Sequence, residues 1–346
     1  MTQPIDRESA GRTEYRYIHA LRLLACWLVI VNHTHGELLH YDAPDALFLY
    51  ALSFSVCKIG VTLFVMISGI LLLERDYDVK KTAWYITRAL VLLIGMSALL
   101  ALWQEGPAGL LPRRFLPALL AGPRMAPYWY LYALPVFYLV VPFLQKMTRS
   151  FRLRDYVLFT VFLLLLPGAV EVLRVWGGPP VSSAFTLALL PAFVTIAVAG
   201  KAVSLLPLRR GGAAGALALL LLVWGVYFAS FYRPALRERV AELDTWAQLP
   251  AVIMAGCCVY LFRFFRAAEG LRGRSAAVLR EIAGTSLGIY VFHPVLNHRV
   301  HEQGFILSLY ARSPVAGVLA HTLCLFLLSG LIAFLLRRVP LIRKFL

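Results

Sequence analysis

Apolar stretches of about twenty residues alternate with short polar segments along almost the whole chain. Ten stretches can be placed, at 17–36, 48–73, 84–103, 127–146, 156–173, 183–206, 212–231, 246–265, 281–299 and 315–336. About twenty apolar residues in a helix cover the hydrocarbon core of a bilayer. The short segments of alternating polarity that are typical of membrane β-barrels are not visible in the sequence. The pattern therefore predicts an all-α, polytopic membrane protein with about ten transmembrane helices.

The composition agrees with this pattern and excludes a soluble globular protein of this size. Of the 346 residues, 60% are hydrophobic and 15% are charged, and the mean hydropathy is +0.73. No long linker and no repeat of fixed period divides the chain. We therefore expect one membrane domain over 1–346, with a polar tail over 1–16 and a basic tail over 337–346. The absence of an inverted repeat counts against a transporter.

The net charge of +16 follows the membrane topology rather than a nucleic-acid surface. Alternate loops, from the N-terminal tail to the C-terminal tail, hold 22 Lys and Arg residues, whereas the opposite set holds nine. Positively charged loops remain on the cytoplasmic side. Both termini are therefore predicted to be cytoplasmic, the loop at 37–47 is predicted to face outside, and no nucleic-acid partner is expected.

The cysteines and the N-terminus predict no covalent feature. All five cysteines fall within predicted spans and their number is odd, so neither a disulfide framework nor a metal site is expected. The N-terminal tail lacks an apolar region followed by a small-residue cleavage site. A cleaved signal peptide is therefore not predicted.

The first apolar stretch carries ionisable residues inside the predicted helix. Arg22 lies near its start and His33 near its end. At about 100° and 1.5 Å per residue, an eleven-residue step returns to about the same face, roughly 16 Å along the helix. Ionisable side chains in membrane helices rarely face lipid, so we expect both residues to face one cavity in a functional site. For His33 alone, an interfacial histidine satisfied by water or lipid head groups is an equally weighted alternative.

Glu37 follows His33 by four residues. If the helix extends that far, the Glu37 carboxylate can accept the ring N–H of His33 and fix its tautomer. A histidine oriented in this way can accept and return a proton near neutral pH. The sequence therefore predicts a His33–Glu37 pair at the outer end of the first helix, on the condition that one more helical turn is present.

Two further spans contain polar residues at positions that indicate a site. Lys58 lies inside the second span, where a charge needs an acidic partner or a polar cavity, and a structural ion pair is equally compatible with it. In the ninth span, Ser286, Tyr290 and His293 share a helix face because they are four and three residues apart. His293 is compatible with substrate binding, proton relay or an interhelical hydrogen bond. Pro294, which follows it, is compatible with a kink that frees a carbonyl.

Four motifs follow one another along the chain. They are the Arg22–His33 spacing, GVTLFVMISGILL at 60–72, WYLYALPVFYLVVPFL at 129–144 and SLGIYVFHPVL at 286–296. In this order they resemble the acyltransferase-3 family of integral membrane acyltransferases, which modify bacterial surface glycans. The resemblance extends from about residue 16 to 336, and the second motif is most similar to the branch that O-acetylates polysaccharides.

The resemblance implies a ten-helix domain that takes an acyl-CoA donor from the cytoplasm and an acyl acceptor on the outer face. On the family pattern, His33 is the catalytic base and Arg22 helps to hold the donor. The family's Arg-x-x-Arg pair is incomplete here, because Tyr85 stands three residues before Arg88. The other positions expected to contact the CoA phosphates or the thioester are Lys58, Ser68, Lys81, Arg88, Arg149 and Arg152. For any single basic residue on the cytoplasmic side, a role in topology or in contacts to anionic lipid is the more common alternative.

The predicted function is transfer of an acyl group, most simply acetyl, from cytoplasmic acyl-CoA to a hydroxyl of a cell-surface glycan or its lipid-linked precursor. The expected location is the cytoplasmic membrane of a bacterium. His33, Glu37, Tyr290 and His293 are the predicted catalytic residues, acetyl-CoA is the predicted donor, and no metal is predicted. The expected partners are acyl-CoA, a carbohydrate acceptor and membrane lipids, and the oligomeric state is left open. The alternatives are succinyl transfer, transport of a glycan or small anion, and a non-catalytic role in glycan export.

Overall fold

The computed structural model describes residues 16–41, 44–76, 78–165, 192–233 and 249–346. Within these ranges the chain is helical and contains no β-strand. The α-helices, numbered in chain order, are α1 Arg16–Thr34, α2 Pro44–Cys57, α3 Ile59–Leu72, α4 Val79–Glu105, α5 Pro112–Ala121, α6 Trp129–Thr148, α7 Leu153–Thr160, α8 Ala192–Leu205, α9 Arg210–Tyr232, α10 Leu249–Phe264, α11 Gly273–Gly284, α12 Ser286–His301, α13 Gly304–Arg312, α14 Pro314–Leu336 and α15 Pro340–Arg343. Short 3-10 helices are present at His35–His40, Gly106–Leu110 and Ala126–Tyr128, and a π-helical turn at Val161–Leu165. The prediction of an all-α protein is confirmed.

Five helical segments among the described residues are long and apolar enough to cross a membrane. They are Pro44–Leu72, Val79–Leu110, Ala126–Thr148, Arg210–Ser230 and Pro314–Leu336. Two shorter apolar helices, α8 and α10, have 14 and 16 residues. The polytopic membrane architecture is confirmed, whereas the number of ten spans and the cytoplasmic side of both termini stay predictions.

Several predicted features fall partly or wholly outside the described residues. They are most of the N-terminal tail, the second half of the 156–173 span, the loop at 174–182, the first part of the 183–206 span and nearly all of the loop at 232–245. Each of the ten predicted spans nevertheless overlaps a described helix.

Two predicted spans contain a local irregularity next to a candidate site residue. Lys58 separates α2 from α3 within a segment of 29 residues, and Thr285 separates α11 from α12 immediately before Ser286. Helix α12 continues through Pro294. Because proline has no N–H, this position cannot bond to the carbonyl of Tyr290. The local sequence therefore alters the backbone where polar side chains face the interior.

Helix α1 lies in the interior of the helix assembly. It packs against α3, α12 and α14, and α3 packs against α8 on its other side. Apolar side chains from α1, α3, α4, α6, α8 and α12 meet in one core, and examples are Leu21, Leu63, Leu100, Leu131, Ile196 and Val291. Removing such side chains from water or lipid into a dense interior stabilises the packing. This core holds α1, and with it Arg22 and His33, between the other helices.

Candidate functional site

Helix α1 carries both ionisable residues that the sequence singled out. It is continuous, so Arg22 and His33 lie about three turns apart on one helix. Its last turn is fixed from two sides. The Thr34 hydroxyl lies 2.7 Å from the hydroxyl of Thr322 in α14, and Asn297 of α12 donates from Nδ2 to the His33 carbonyl oxygen at 3.2 Å. These two bonds position the end of α1 against α12 and α14.

The ring of His33 lies against the ring of His293. Their centres are 5.3 Å apart and their planes are inclined by 29°. His293 is fully buried, and its Nδ1 lies 3.2 Å from the carbonyl oxygen of Ile289. Because a carbonyl only accepts, Nδ1 carries the hydrogen, and Nε2 of the neutral ring is left as an acceptor. Among the described residues, this Nε2 has no hydrogen-bond partner.

His33 itself is half-buried. Within the described part of the chain its ring nitrogens make no hydrogen bond. A neutral imidazole in this state offers one nitrogen as an acceptor. His33 is therefore available to a substrate hydroxyl.

Tyr290 packs against His293 of the histidine pair. Its ring centre is 5.7 Å from that of His293 and 5.2 Å from that of Tyr130. Its hydroxyl donates to the backbone carbonyl of Pro127, which uses the single phenolic hydrogen. Tyr290 therefore packs against the pair, and its hydrogen is not directed at a substrate in this arrangement.

Lys58 lies beside the last turn of α1. Its ammonium donates to Asn32 Oδ1 at 2.7 Å, and Cys57 Sγ donates to the same oxygen at 3.2 Å. The ammonium also lies 4.7 Å from the centre of the Phe54 ring, a favourable cation–π contact. Because Asn32 precedes His33, this network places a positive charge at the histidine end of α1. Lys58 was predicted among the donor-contacting residues, and it lies apart from the basic cavity described below.

The predicted His33–Glu37 pair is not formed. Helix α1 ends one residue after His33 and a 3-10 helix follows, so the expectation of one more α-helical turn is wrong. The Glu37 carboxylate instead lies 3.4 Å from His40 Nδ1 and 3.8 Å from His301 Nε2. A catalytic role for Glu37 stays a prediction, and no contact between Glu37 and His33 supports it among the described residues.

A cavity of about 410 Å³ lies at the other end of α1. Its described lining contains three residues predicted to contact the donor, Arg22, Ser68 and Arg88, and it does not contain His33. Tyr290 is the lining residue that contacts the histidine pair. The described lining therefore contains Arg22 without His33, and the prediction that both residues face one cavity does not hold for this cavity.

The charged side chains in the described lining of this cavity are all basic. No acidic side chain occurs among its described lining residues. The basic side chains that line it are Arg22, Arg88, Arg337, Arg343 and Lys344. Within the described residues, no hydrogen bond or ion pair engages the guanidinium of Arg22. Arginine guanidinium groups match the geometry of phosphate and carboxylate oxygens, so the cavity is suited to an anion.

The sequence analysis missed four residues of these two regions. Arg337, Arg343 and Lys344 were assigned to a basic tail, because a short basic segment after a span is also a topology signal. Only their position in space brings them to the cavity. Asn297 was missed as well, although its spacing of four residues from His293 places both on one face of α12.

Besides Lys58, three predicted donor contacts lie outside the basic cavity. The Lys81 ammonium lies 3.3 Å from the carboxylate of Asp78, and Arg149 lies 3.6 Å from Asp76. Arg152 is exposed before α7. The Lys81 backbone N–H, bonded to Asp78, holds the pKa of that carboxyl below its usual value. Lys81 and Arg149 line two neighbouring cavities and are exposed.

The family model of an acyltransferase domain, acyltransferase-3, matches residues 15–338. The chain belongs to the acyltransferase-3 family. It is therefore a multi-pass membrane acyltransferase, as its motifs predicted. No curated protein and no solved structure matches it.

In this acyltransferase-3 protein the two ends of α1 present different chemistry. One end has the acceptor nitrogens of His33 and His293 near the ammonium of Lys58. The other end has Arg22 and Arg88 in a cavity lined by basic side chains. Over the described ranges, no group of three or more His, Cys, Asp or Glu side chains is placed to hold a metal ion. The arrangement can accept a proton at one end and hold an anion at the other.

Proposed function

We propose that this acyltransferase-3 protein transfers an acyl group, most simply acetyl, from acyl-CoA to a carbohydrate hydroxyl. The donor enters from the cytoplasmic side. The acceptor is a cell-surface glycan or its lipid-linked precursor at the outer side of a bacterial cytoplasmic membrane. The orientation rests on the distribution of Lys and Arg along the chain.

One observation carries this proposal. A single continuous helix places Arg22 in a basic cavity and His33 in an interior histidine pair. The eleven-residue step from Arg22 to His33 spans roughly 16 Å. A donor that holds an anionic head group at one end of an extended arm and a reactive carbonyl at the other matches this separation. Acyl-CoA has that form.

Tyr290 connects the basic cavity with the histidine pair. Tyr290 lines the basic cavity and also contacts His293. A thioester that passes the Tyr290 ring therefore reaches the histidine pair.

The chemical step uses His33 as the base. The acceptor hydroxyl gives its proton to a ring nitrogen of His33 while its oxygen attacks the thioester carbonyl carbon. The carbon–sulfur bond then breaks, the acyl group remains on the acceptor oxygen, and CoA leaves as a thiolate that takes up the proton. No oxidant or reductant is needed.

The oxyanion that forms on the carbonyl needs a hydrogen-bond donor or a positive charge. The Tyr290 hydroxyl donates to Pro127, and the Ser68 hydroxyl donates to the carbonyl of Phe64 at 2.9 Å, so both hydrogens are in use. The Lys58 ammonium has three hydrogens and is held at the outer turn of α1 by Asn32. We assign the oxyanion to Lys58 because this positive charge lies at the end of α1 that carries His33.

The decisive experiment follows a labelled acyl group. Membranes that contain the protein receive acetyl-CoA with a radiolabelled acetyl group, and the label in the extracted surface glycan is counted. His33→Ala is expected to lower transfer by about 10²- to 10⁴-fold, the range typical of a lost general base. Succinyl-CoA in parallel identifies the acyl group.

The matched control is His40→Ala. His40 is a second histidine near the outer end of α1, its side chain is 74% exposed, and it lies outside the histidine pair. This variant is expected to keep its activity. Glu37→Gln is expected to cost less than about tenfold, because its carboxylate contacts His40 and His301 rather than His33. Normal transfer by a folded His33→Ala variant would overturn the assignment, and glycan movement without use of acetyl-CoA would favour transport.

A further inference from the structure

The C-terminal segment of the chain folds back onto Arg88. The Arg88 guanidinium donates from Nε to the carbonyl oxygen of Phe345 at 2.8 Å and from Nη2 to the oxygen of Leu346 at 2.9 Å. The Phe345 ring contacts the ring of Trp84, with centres 5.6 Å apart, and Leu346 is buried. The segment thus forms part of the cavity wall.

Two exposed cations of this segment also line the cavity. They are Arg343 and Lys344, and neither side chain has an ion-pair partner among the described residues. A cation without a partner on the wall of a cavity that has no acidic side chain in its described lining raises the local electrostatic potential. Arg343 and Lys344 therefore add to the positive potential of Arg22 and Arg88.

The segment also lies beyond the region that defines the family. The family match ends at residue 338, whereas Arg343 and Lys344 follow it on α15 and in the residues after it. These two residues thus lie outside the matched region.

We propose that Arg343 and Lys344 bind the phosphate groups of the donor, and that the segment after residue 338 is the phosphate-binding wall of the cavity. This rests on the proposed function.

Arg88 has a second role in the same arrangement. Its two donors now bond to the backbone oxygens of Phe345 and Leu346, and phosphate oxygens are strong charged acceptors that compete for a guanidinium. Donor binding replaces these two bonds, while the Trp84–Phe345 contact keeps the segment in place.

The test separates the phosphates from the rest of the donor. The double variant Arg343→Gln/Lys344→Gln is expected to raise the KM for acetyl-CoA by at least about fivefold at low ionic strength, with kcat changed by less than about twofold. Acetyl-pantetheine has the same thioester arm without phosphates. Its KM is expected to be the same in the variant and in the wild type. The effect on acetyl-CoA is expected to shrink as salt is added, because salt screens charges.

Arg338→Gln is the matched control. Arg338 is exposed immediately before this segment, and its guanidinium lies 4.4 Å from the centre of the Phe334 ring. It does not appear in the described lining of the cavity. The substitution removes one positive charge close to Arg343 and is expected to leave the KM for acetyl-CoA unchanged.

A second measurement needs no turnover. The nucleotide part of CoA, 3′-phosphoadenosine 5′-diphosphate, is expected to raise the thermal unfolding temperature of the wild type and not of the double variant. Equal stabilisation of both proteins, or an equal KM for acetyl-CoA, would overturn the proposed wall. If the wild type transfers no acyl group but shows this difference in stabilisation, the proposed function fails and the phosphate site remains.

Discussion

The imidazole rings of His33 and His293 lie stacked at 5.3 Å although the two residues are 260 positions apart in the chain. The hydrogen bond from His293 Nδ1 to the carbonyl of Ile289 fixes the buried ring. The Nε2 of the same ring has no partner among the described residues. His293 is thus a fixed neutral surface against which His33 is oriented, and two positive charges at that separation would repel each other.

His293→Asn tests whether this ring positions His33. The asparagine amide can still donate towards Ile289, but it removes the stacked ring. We expect the rate of acyl transfer to fall by about tenfold or more, a loss smaller than that of a missing base. We also expect the acidic limb of the pH–rate profile to move, because the base titrates beside a different neighbour. The measurement is kcat/KM for labelled acetyl transfer across a range of pH.

A role in packing alone predicts a different result. In that case His293→Asn would lower the thermal stability and the rate by a constant factor at every pH. An unchanged pH–rate profile in a folded variant would therefore contradict a positioning role for His293.

Lys58 and Asn32 are expected to act as one unit. The ammonium of Lys58 is held at 2.7 Å by Asn32 Oδ1. We expect Lys58→Met and Asn32→Ala each to lower kcat by about ten- to a hundredfold, because one removes the charge and the other releases it. The double variant is expected to be about as slow as Lys58→Met alone, since residues that act as a unit are not additive. The measurement is a double-mutant cycle on the transfer rate.

Lys201→Met is the control for this cycle. Lys201, on α8, is buried, and its ammonium lies 3.5 Å from the carboxylate of Glu74. The substitution removes a buried charge at a distance from the histidine pair. We expect lower stability and an unchanged kcat. Fully additive losses for Lys58 and Asn32 would show that the amide does not act through the ammonium.

The part of the site that lies on one helix could be predicted from the sequence. The spacing from Arg22 to His33 depends only on helical periodicity, and the structure has both residues on the continuous helix α1. The end of that helix could not be placed, because Gly36 is the only local stop signal and the helix ends two residues before it. Glu37 was misplaced relative to His33 for this reason.

The long-range parts of the site could not be predicted at all. The contact of His33 with His293 and the hydrogen bonds of Arg88 to Phe345 and Leu346 join residues more than 250 positions apart. Hydrophobic periodicity places residues on helix faces, but it does not say which helices pack together. The family resemblance indicated which motifs belong to the site, whereas the basic side chains after residue 336 were found at the cavity only from the helix packing.

The close approach of α3 and α8 sets the geometry of the helix that carries Ser68. A side-chain carbon added at Gly69 would overlap the carbonyl oxygen of Ala197, and one added at Gly200 would overlap the carbonyl oxygen of Met66. Small residues allow membrane helices to pack backbone against backbone. We expect Gly69→Ala and Gly200→Ala each to lower the free energy of unfolding by about 1–3 kcal/mol through overpacking.

Gly95 on α4 provides the comparison, because an added carbon there meets nothing within 4 Å. Gly95→Ala is expected to leave the stability unchanged or to raise it by about 0.5–1 kcal/mol, the intrinsic preference of a helix for alanine. Thermal unfolding of the purified protein in detergent measures all three variants. If Gly69→Ala were as stable as Gly95→Ala, α3 and α8 would have to lie farther apart than this packing requires. Ser68 would then move away from the basic cavity.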